Sequence, residues 1–193
     1  MIILLEGVNG VGKTTYARRL AEKLELKVYR AMRSDDDENH WGVSDKHWNE
    51  LQERLAKAEV PINTHVDDLF VADFMAAFEP SVILDRGLYS AIAYGETYHQ
   101  PFSRYESDIK EWIIRFWESR MKKAGAFLVH MTASYEAAKE RCEGRFCPNK
   151  QEYHRLQNVF DKLFRRSNLT KMAVNTEKVK LEDGVDWVIR ATS

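Results

Sequence analysis

A three-layer α/β fold, in which a five-stranded parallel sheet is flanked by helices, is what this sequence predicts, and three observations predict it. Short apolar runs alternate along the chain with longer segments of helical period, the pattern of strands buried on both faces and joined through helices. The first run leads straight into a glycine-rich loop followed by an amphipathic segment. No internal repeat, low-complexity tract or composition break marks a linker, so residues 1–193 read as a single domain.

The strands are expected at Ile2–Leu5, Leu26–Arg30, Ser81–Asp85, Ala126–Met131 and Lys171–Asn175. Between the first two, Thr14–Leu24 places Tyr16, Leu20 and Leu24 on one helical face. Val66–Glu79 stacks Phe70, Phe74 and Phe78 at four-residue intervals, and Pro80 closes it because the residue before a proline is driven out of helical backbone. Tyr105, Ile109, Trp112, Ile113, Phe116 and Trp117 recur at spacings of three and four, which predicts another helix packed on the sheet. Two irregular zones remain, Met32–Lys46, rich in acids, and Gly144–Gln151, with Gly144, Arg145 and Pro148. Both are expected as mobile loops over a site, the second as a lid spanning about 141–151.

Charge and cysteine content narrow the function classes. With 29 basic against 30 acidic residues the net charge is −1, so no global field favours a long polyanion and phosphate affinity must be local. The apolar run Met1 to Leu5 is too short for a membrane span or signal peptide, which predicts a soluble, cytoplasmic protein. Cys142 and Cys147 lack the second Cys/His pair of a structural zinc site and are expected as reduced thiols.

The segment Gly7-Val8-Asn9-Gly10-Val11-Gly12-Lys13-Thr14, followed by Thr15, fits the pattern G-x-x-x-x-G-K-S/T and lies between a buried strand and an amphipathic helix, where that pattern belongs. Its glycines let successive N–H groups turn inward on phosphate oxygens, and the helix N-terminus adds the positive end of its dipole. This is a P-loop, and the fold it predicts is of the P-loop NTPase type. Lys13 is expected on the β- and γ-phosphates of ATP and the Thr14 hydroxyl on Mg²⁺. Further along, Val82-Ile83-Leu84 runs into Asp85-Arg86, so a carboxylate and a guanidinium emerge at the carboxyl edge of the sheet, where open α/β folds bind ligands. Asp85 suits Mg²⁺ and Arg86 suits a phosphate.

Taken together, Leu5-Glu6-Gly7 through Lys13-Thr14-Thr15 and Asp85-Arg86-Gly87-Leu88-Tyr89-Ser90-Ala91-Ile92-Ala93-Tyr94-Gly95 resemble the thymidylate kinase family, which reads E-G-x-D/E-x-x-G-K-S/T-T and D-R-Y-x-x-S-x-x-A-Y/F. The resemblance implies a transfer of the terminal phosphoryl group of ATP to a small nucleotide. It places Asp85 near Mg²⁺ and Arg86 between donor and acceptor phosphates, and sets Asn9 and Tyr89 beside the acceptor. Asn9 stands where the family has an acid facing the acceptor sugar, and an amide still accepts a hydrogen bond from a sugar hydroxyl. Arg30, with Arg33 as its understudy, falls where the family holds the acceptor phosphate. Ala137–Arg145 resembles the helix that leads into the family's lid, and Arg141 and Arg145, four apart on one helical face, are expected over the transferred group. Lys139 to Arg166 carries eight basic and four acidic residues, a local excess that suits this role.

The family pattern is broken in three further places. Leu69-Phe70-Val71-Ala72-Asp73-Phe74 resembles the base-reading helix L-F-x-A-x-R, with Phe70 kept as the stacking ring and Phe74 in place of the arginine that reads the thymine edge. A ring face cannot donate a hydrogen bond, so weaker discrimination among pyrimidines is expected. Gly87 replaces the tyrosine after Asp-Arg, which is expected to leave room or flexibility beside the acceptor. The acidic run Asp35 to Glu38, followed by Trp41, is like the general-base loop of deoxynucleoside kinases. The leading expectation is therefore a thymidylate kinase-like enzyme that phosphorylates dTMP or a related pyrimidine monophosphate. A second is a kinase of a deoxynucleoside or modified-pyrimidine hydroxyl, free or in DNA, with its base in the acidic loop. A third is a nucleotide-binding domain without catalysis. The Trp112, Phe116 and Trp117 surface suits a homodimer, although burial in the core explains that stripe equally well.

Overall fold

The computed structural model describes residues 1–30, 81–98, 107–142 and 146–192. They form five strands, β1 (Ile2–Glu6), β2 (Lys27–Arg30), β3 (Val82–Asp85), β4 (Ala126–Thr132) and β5 (Thr170–Asn175). Six helices are described, α1 (Lys13–Leu24), α2 (Leu88–Tyr98), α3 (Ser107–Lys123), α4 (Tyr135–Arg141), α5 (Lys150–Arg166) and α6 (Leu181–Thr192). Every strand pair is parallel and the order is β2-β3-β1-β4-β5. The five expected strands are all present, each within one residue of its expected ends.

The burial of the strands follows from their place in this order. β1 and β3 are interior strands, buried at every position, which is why Ile2-Ile3-Leu4-Leu5 and Val82-Ile83-Leu84 are unbroken apolar runs. β5 lies at the edge and is only partly buried. α1 turns Tyr16, Ala17 and Leu20 inward and packs against β3 and α6, whose Val185 and Val188 are fully buried. α2 and α5 pack together, and both α3 and α5 lie on β4.

Three expectations need correction. The zone read as irregular up to Gln151 is already helix at Lys150, because Asn149 and Glu152 form a capping box: Glu152 N–H donates to Asn149 Oδ1 at 3.0 Å and Asn149 N–H to Glu152 Oε2 at 2.9 Å. That start signal, followed by buried Tyr153, Leu156 and Phe160, outweighs the upstream Gly144 and Pro148. The helix expected over Ala137–Arg145 instead ends at Arg141 with Cys142 as its C-cap. The aromatic stripe of α3 also splits: Trp117 is buried, whereas Ile109, Trp112 and Phe116 are exposed, Trp112 by 63%. Spacings of three and four alone describe both the inner row and the outer one. The Val66–Glu79 helix lies outside the described residues, as does the core of the expected lid at 143–145.

Among the described strands the order places a switch point beside β1. From β1 the chain passes outward to β2, returns to β3 beside β1, and then crosses to β4 on the other side of β1. The loops that leave the carboxyl ends of β1 and β3 flank this switch point, the place where open parallel sheets bind ligands.

Candidate active site

The loop from Gly7 to Gly12 joins β1 to α1 and is held tightly. A Cβ at Gly10 would lie 2.2 Å from the Ala138 carbonyl oxygen of α4, and Gly10 has φ +81°, so both space and backbone demand glycine there. The Val11 side chain is buried in the core, which leaves its backbone N–H as the group able to face a phosphate. Lys13 is buried, and its Nζ donates to the Gly7 carbonyl at 2.9 Å and the Val8 carbonyl at 2.7 Å, which brings its charge into the hollow of the loop. α1 begins without a side-chain cap and without an acid in its first turn, whereas α4 and α5 have both. The positive end of its dipole is thus left for an anion from outside the helix.

Two side-chain pairs join this loop to the end of β3. The Thr14 hydroxyl donates to Asp85 Oδ2 at 2.8 Å, so the pair expected to share a metal is adjacent, and a hydroxyl beside a carboxylate is the hard oxygen set that Mg²⁺ favours. The Arg86 guanidinium donates from Nη2 to Asn9 Oδ1 and lies 5.2 Å from the Tyr94 ring centroid, and its Nη1 is buried without a hydrogen-bond partner among the described residues. Asn9 is engaged on every side: its backbone N–H donates to Tyr94 Oη at 3.0 Å and its Nδ2 to the Phe146 carbonyl at 3.2 Å. The amide expected on a sugar hydroxyl therefore also holds Arg86.

Behind Arg86 lies a buried carboxyl that the motif reading passed over. Glu6, the last residue of β1, accepts from both the hydroxyl and the backbone N–H of Ser90 in the first turn of α2. Desolvation pushes its pKa up to about 7, against the downward pull of the Ser90 hydrogen bonds and of Arg86 and Lys13. Its position also corrects the expectation for Gly87. A Cβ there would lie 2.8 Å from Leu4 Cδ1, 3.3 Å from Glu6 Oε1 and 3.5 Å from Trp117 Cζ2, so the missing side chain leaves no room beside an acceptor but is filled by the core. Tyr89 is corrected too. It is fully buried, lies tilted against Trp117 and bonds through its hydroxyl to Glu118, with its pKa raised by burial, so it faces the core and not the acceptor.

On the other side of the P-loop, α4 is fixed between Gly10 and the turn after β5. Glu177 accepts from the backbone N–H and hydroxyl of its N-cap Ser134. Arg141 donates to Thr176 Oγ1 at 2.8 Å, and Thr176 in turn lies next to Gly12. Arg141 therefore flanks the start of α1 rather than closing over it. Thr15 is exposed on α1. The backbone of Arg30 pairs with Asp85 at the carboxyl edge. Arg33, Phe70, Phe74 and Arg145 lie outside the described residues, as does the side chain of Arg30. The contributions of Glu6 and Tyr94 were accessible in principle, since both stand inside the two motifs; those of Thr176 and Glu177 carry no local signal.

Loop, lysine, hydroxyl–carboxylate pair and held arginine define a P-loop nucleotide-binding domain of the kinase fold. A family model described as an AAA domain matches residues 2–180, and the chain belongs to that family. A thymidylate kinase of Xanthomonas euvesicatoria pv. vesicatoria (strain 85-10) is 35% identical over 100 residues, a stretch that covers 49% of this chain and 43% of that protein. The match thus spans less than half the length of this relative. The fold is similar to that of the YorR protein of Bacillus subtilis in complex with phosphorylated GDP, with a TM-score of 0.65 and 22% identity over 98% of this chain and 94% of the other. It is also similar to that of the deoxyadenosine kinase of M. mycoides with bound dATP, with a TM-score of 0.61 and 14% identity over 98% of each chain. Among the described residues no helix is long and apolar enough to cross a membrane.

Proposed function

We propose that this chain transfers the γ-phosphoryl group of ATP to a nucleoside monophosphate, as thymidylate kinase does, with dTMP or a related pyrimidine monophosphate as acceptor and the diphosphate and ADP as products. The observation that carries this reading is the pairing of Arg86 with Asn9, which fixes a guanidinium between the P-loop and the crevice at the switch point. Transfer between two phosphates needs a cation at that place to hold the acceptor in line with the donor. The 35% identity to a thymidylate kinase supports the same acceptor class.

In this mechanism the backbone N–H groups of the P-loop and Lys13 hold the β- and γ-phosphates. Arg86 holds the acceptor phosphate in line and spreads the charge that builds up as the bond from the γ-phosphorus to the β–γ bridging oxygen breaks and the bond to the acceptor oxygen forms. Thr14 and Asp85 would hold Mg²⁺, which neutralises phosphate charge when bound. Arg141, beside Thr176, contributes charge near the nucleotide, and Arg30, at the carboxyl end of β2, is the residue proposed to supply charge for the acceptor phosphate.

The test is a panel of deoxynucleosides, their 5′-monophosphates and short single strands, each with ATP and Mg²⁺, scored by ADP release and product mass. A diphosphate product is expected. Phosphate appearing only on a nucleoside or a strand overturns the monophosphate reading in favour of a hydroxyl acceptor, with Asp35 to Glu38 as the source of the base. Nucleotide binding without any transfer overturns the enzyme reading.

A further inference from the structure

Arg86 is held in an unusual backbone state, and the buried carboxyl of Glu6 lies beside the turn that contains it. Arg86 has φ +84°, a region that residues with side chains seldom enter and that persists only where the surroundings over-determine it. On one side its backbone N–H is pinned to the Leu5 carbonyl at 3.0 Å, one step beyond the last β1–β3 pair. On the other side comes Gly87, whose carbonyl accepts from Ala91 N–H at 3.3 Å and so occupies the N-cap position of α2. A glycine there has no side chain with which to cap the first turn. Glu6 supplies the missing acceptor from a different strand, taking the Ser90 N–H at 3.3 Å and the Ser90 hydroxyl as well.

We infer that Glu6 is a positioning residue for phosphoryl transfer, capping α2 from β1 so that the Asp85–Gly87 turn presents the Arg86 guanidinium to Asn9 and the P-loop. Three features of the site support this. Glu6 is 1% exposed, so it touches neither solvent nor a ligand in the crevice. A Cβ at Gly87 would stand 3.3 Å from its Oε1, so the carboxyl lies directly beneath the turn it is assigned to hold. The titratable groups around it are Arg86 and Lys13, both cationic, and Tyr89 and His130, which burial keeps neutral, the last paired with it in the β1–β4 register; Arg86 and Lys13 both attract the carboxylate toward the site. Without this cap the turn is free to leave its unusual conformation and take the guanidinium off Asn9, while the ATP cradle built by the P-loop backbone stays in place.

The inference rests on the kinase reading for its first measurement and is independent of it for the second. With the best acceptor of the panel, Glu6→Ala is expected to lower kcat about tenfold or more with KM for ATP changed less than about twofold, while Glu6→Gln, which keeps an acceptor for Ser90 N–H, stays within about threefold of the parent. On an Arg86→Ala background Glu6→Ala is expected to change kcat by less than about twofold, since the residue it positions is gone. Additive losses in that cycle, or an unchanged kcat with only a lower melting temperature, overturn the inference. Should Glu6→Ala fail to fold, Ser90→Ala is read in the same cycle and is expected to show a smaller loss with the same non-additivity. If the parent transfers phosphate to nothing, the kinase reading falls, and the inference is then decided by the guanidinium 15N resonance of Arg86, assigned by its disappearance in Arg86→Lys. A shifted or broadened signal in Glu6→Ala, and not in Glu6→Gln, sustains it; an unchanged signal overturns it.

Discussion

Replacing Gly87 by alanine sets two opposing effects against each other, and the structure decides between them. Alanine restricts the unfolded chain more than glycine does, which by itself stabilises by about 0.4–1 kcal/mol. The added methyl, however, would sit 2.8 Å from Leu4 Cδ1 and 3.3 Å from Glu6 Oε1, with Trp117 Cζ2 next at 3.5 Å. Leu4, Glu6 and Trp117 are 0%, 1% and 4% exposed, so none can swing aside into solvent. Overpacking of this kind costs about 1–3 kcal/mol, which exceeds the entropic gain and leaves a net destabilisation of about 1–2 kcal/mol. For a chain of this size that corresponds to a melting temperature lower by about 2–8 °C, read by circular dichroism with urea unfolding as a check on two-state behaviour. Gly87→Tyr, the residue the thymidylate kinase pattern carries, is expected to be worse still. A Gly87→Ala protein that melts at or above the parent temperature would refute the placement of Gly87 against the core and restore the idea of open space beside the acceptor.

Lys13→Ala is expected to reduce turnover by about a hundredfold or more, since it removes the charge held in the loop hollow between the Gly7 and Val8 carbonyls. Retained ADP release by the purified, folded variant would sink the P-loop mechanism. Glu6→Gln tests the proton linkage of the buried carboxyl. Its pKa is raised in the folded state from 4.5 to about 7, so its stabilising contribution is fully present below pH 4.5 and is lost as the pH rises to about 7. The shift corresponds to about 3 kcal/mol, so the glutamine variant should gain on the parent by that order between acid and pH 8, and parallel stability–pH curves would contradict the assignment.

Much of this fold and part of its site could be read from local pattern. An interior strand of a parallel sheet is covered on both faces, so Ile2-Ile3-Leu4-Leu5 and Val82-Ile83-Leu84 announce themselves as unbroken apolar runs. The P-loop and Asp85-Arg86 were equally plain, since their chemistry resides in adjacent residues at the end of a strand. The start of α5 is legible too, in Asn149 and Glu152, although Gly144 and Pro148 just upstream carry the opposite, loop-forming signal.

What tertiary structure alone decided is which way each side chain of those motifs turns. Tyr89 and Gly87 stand inside a binding motif yet face Glu118, Leu4 and Trp117 in the core, and Trp112 and Phe116 share the helical spacing of Trp117 yet lie outside it. Asn9 meets Arg86 across 77 positions and Glu6 meets Ser90 across 84, pairings that arise only because β1 and β3 lie side by side in register. Periodicity records which residues are buried and motifs record which chemistry is available. Neither contains the register between strands far apart in the chain, and that register determines which buried carboxyl holds which arginine.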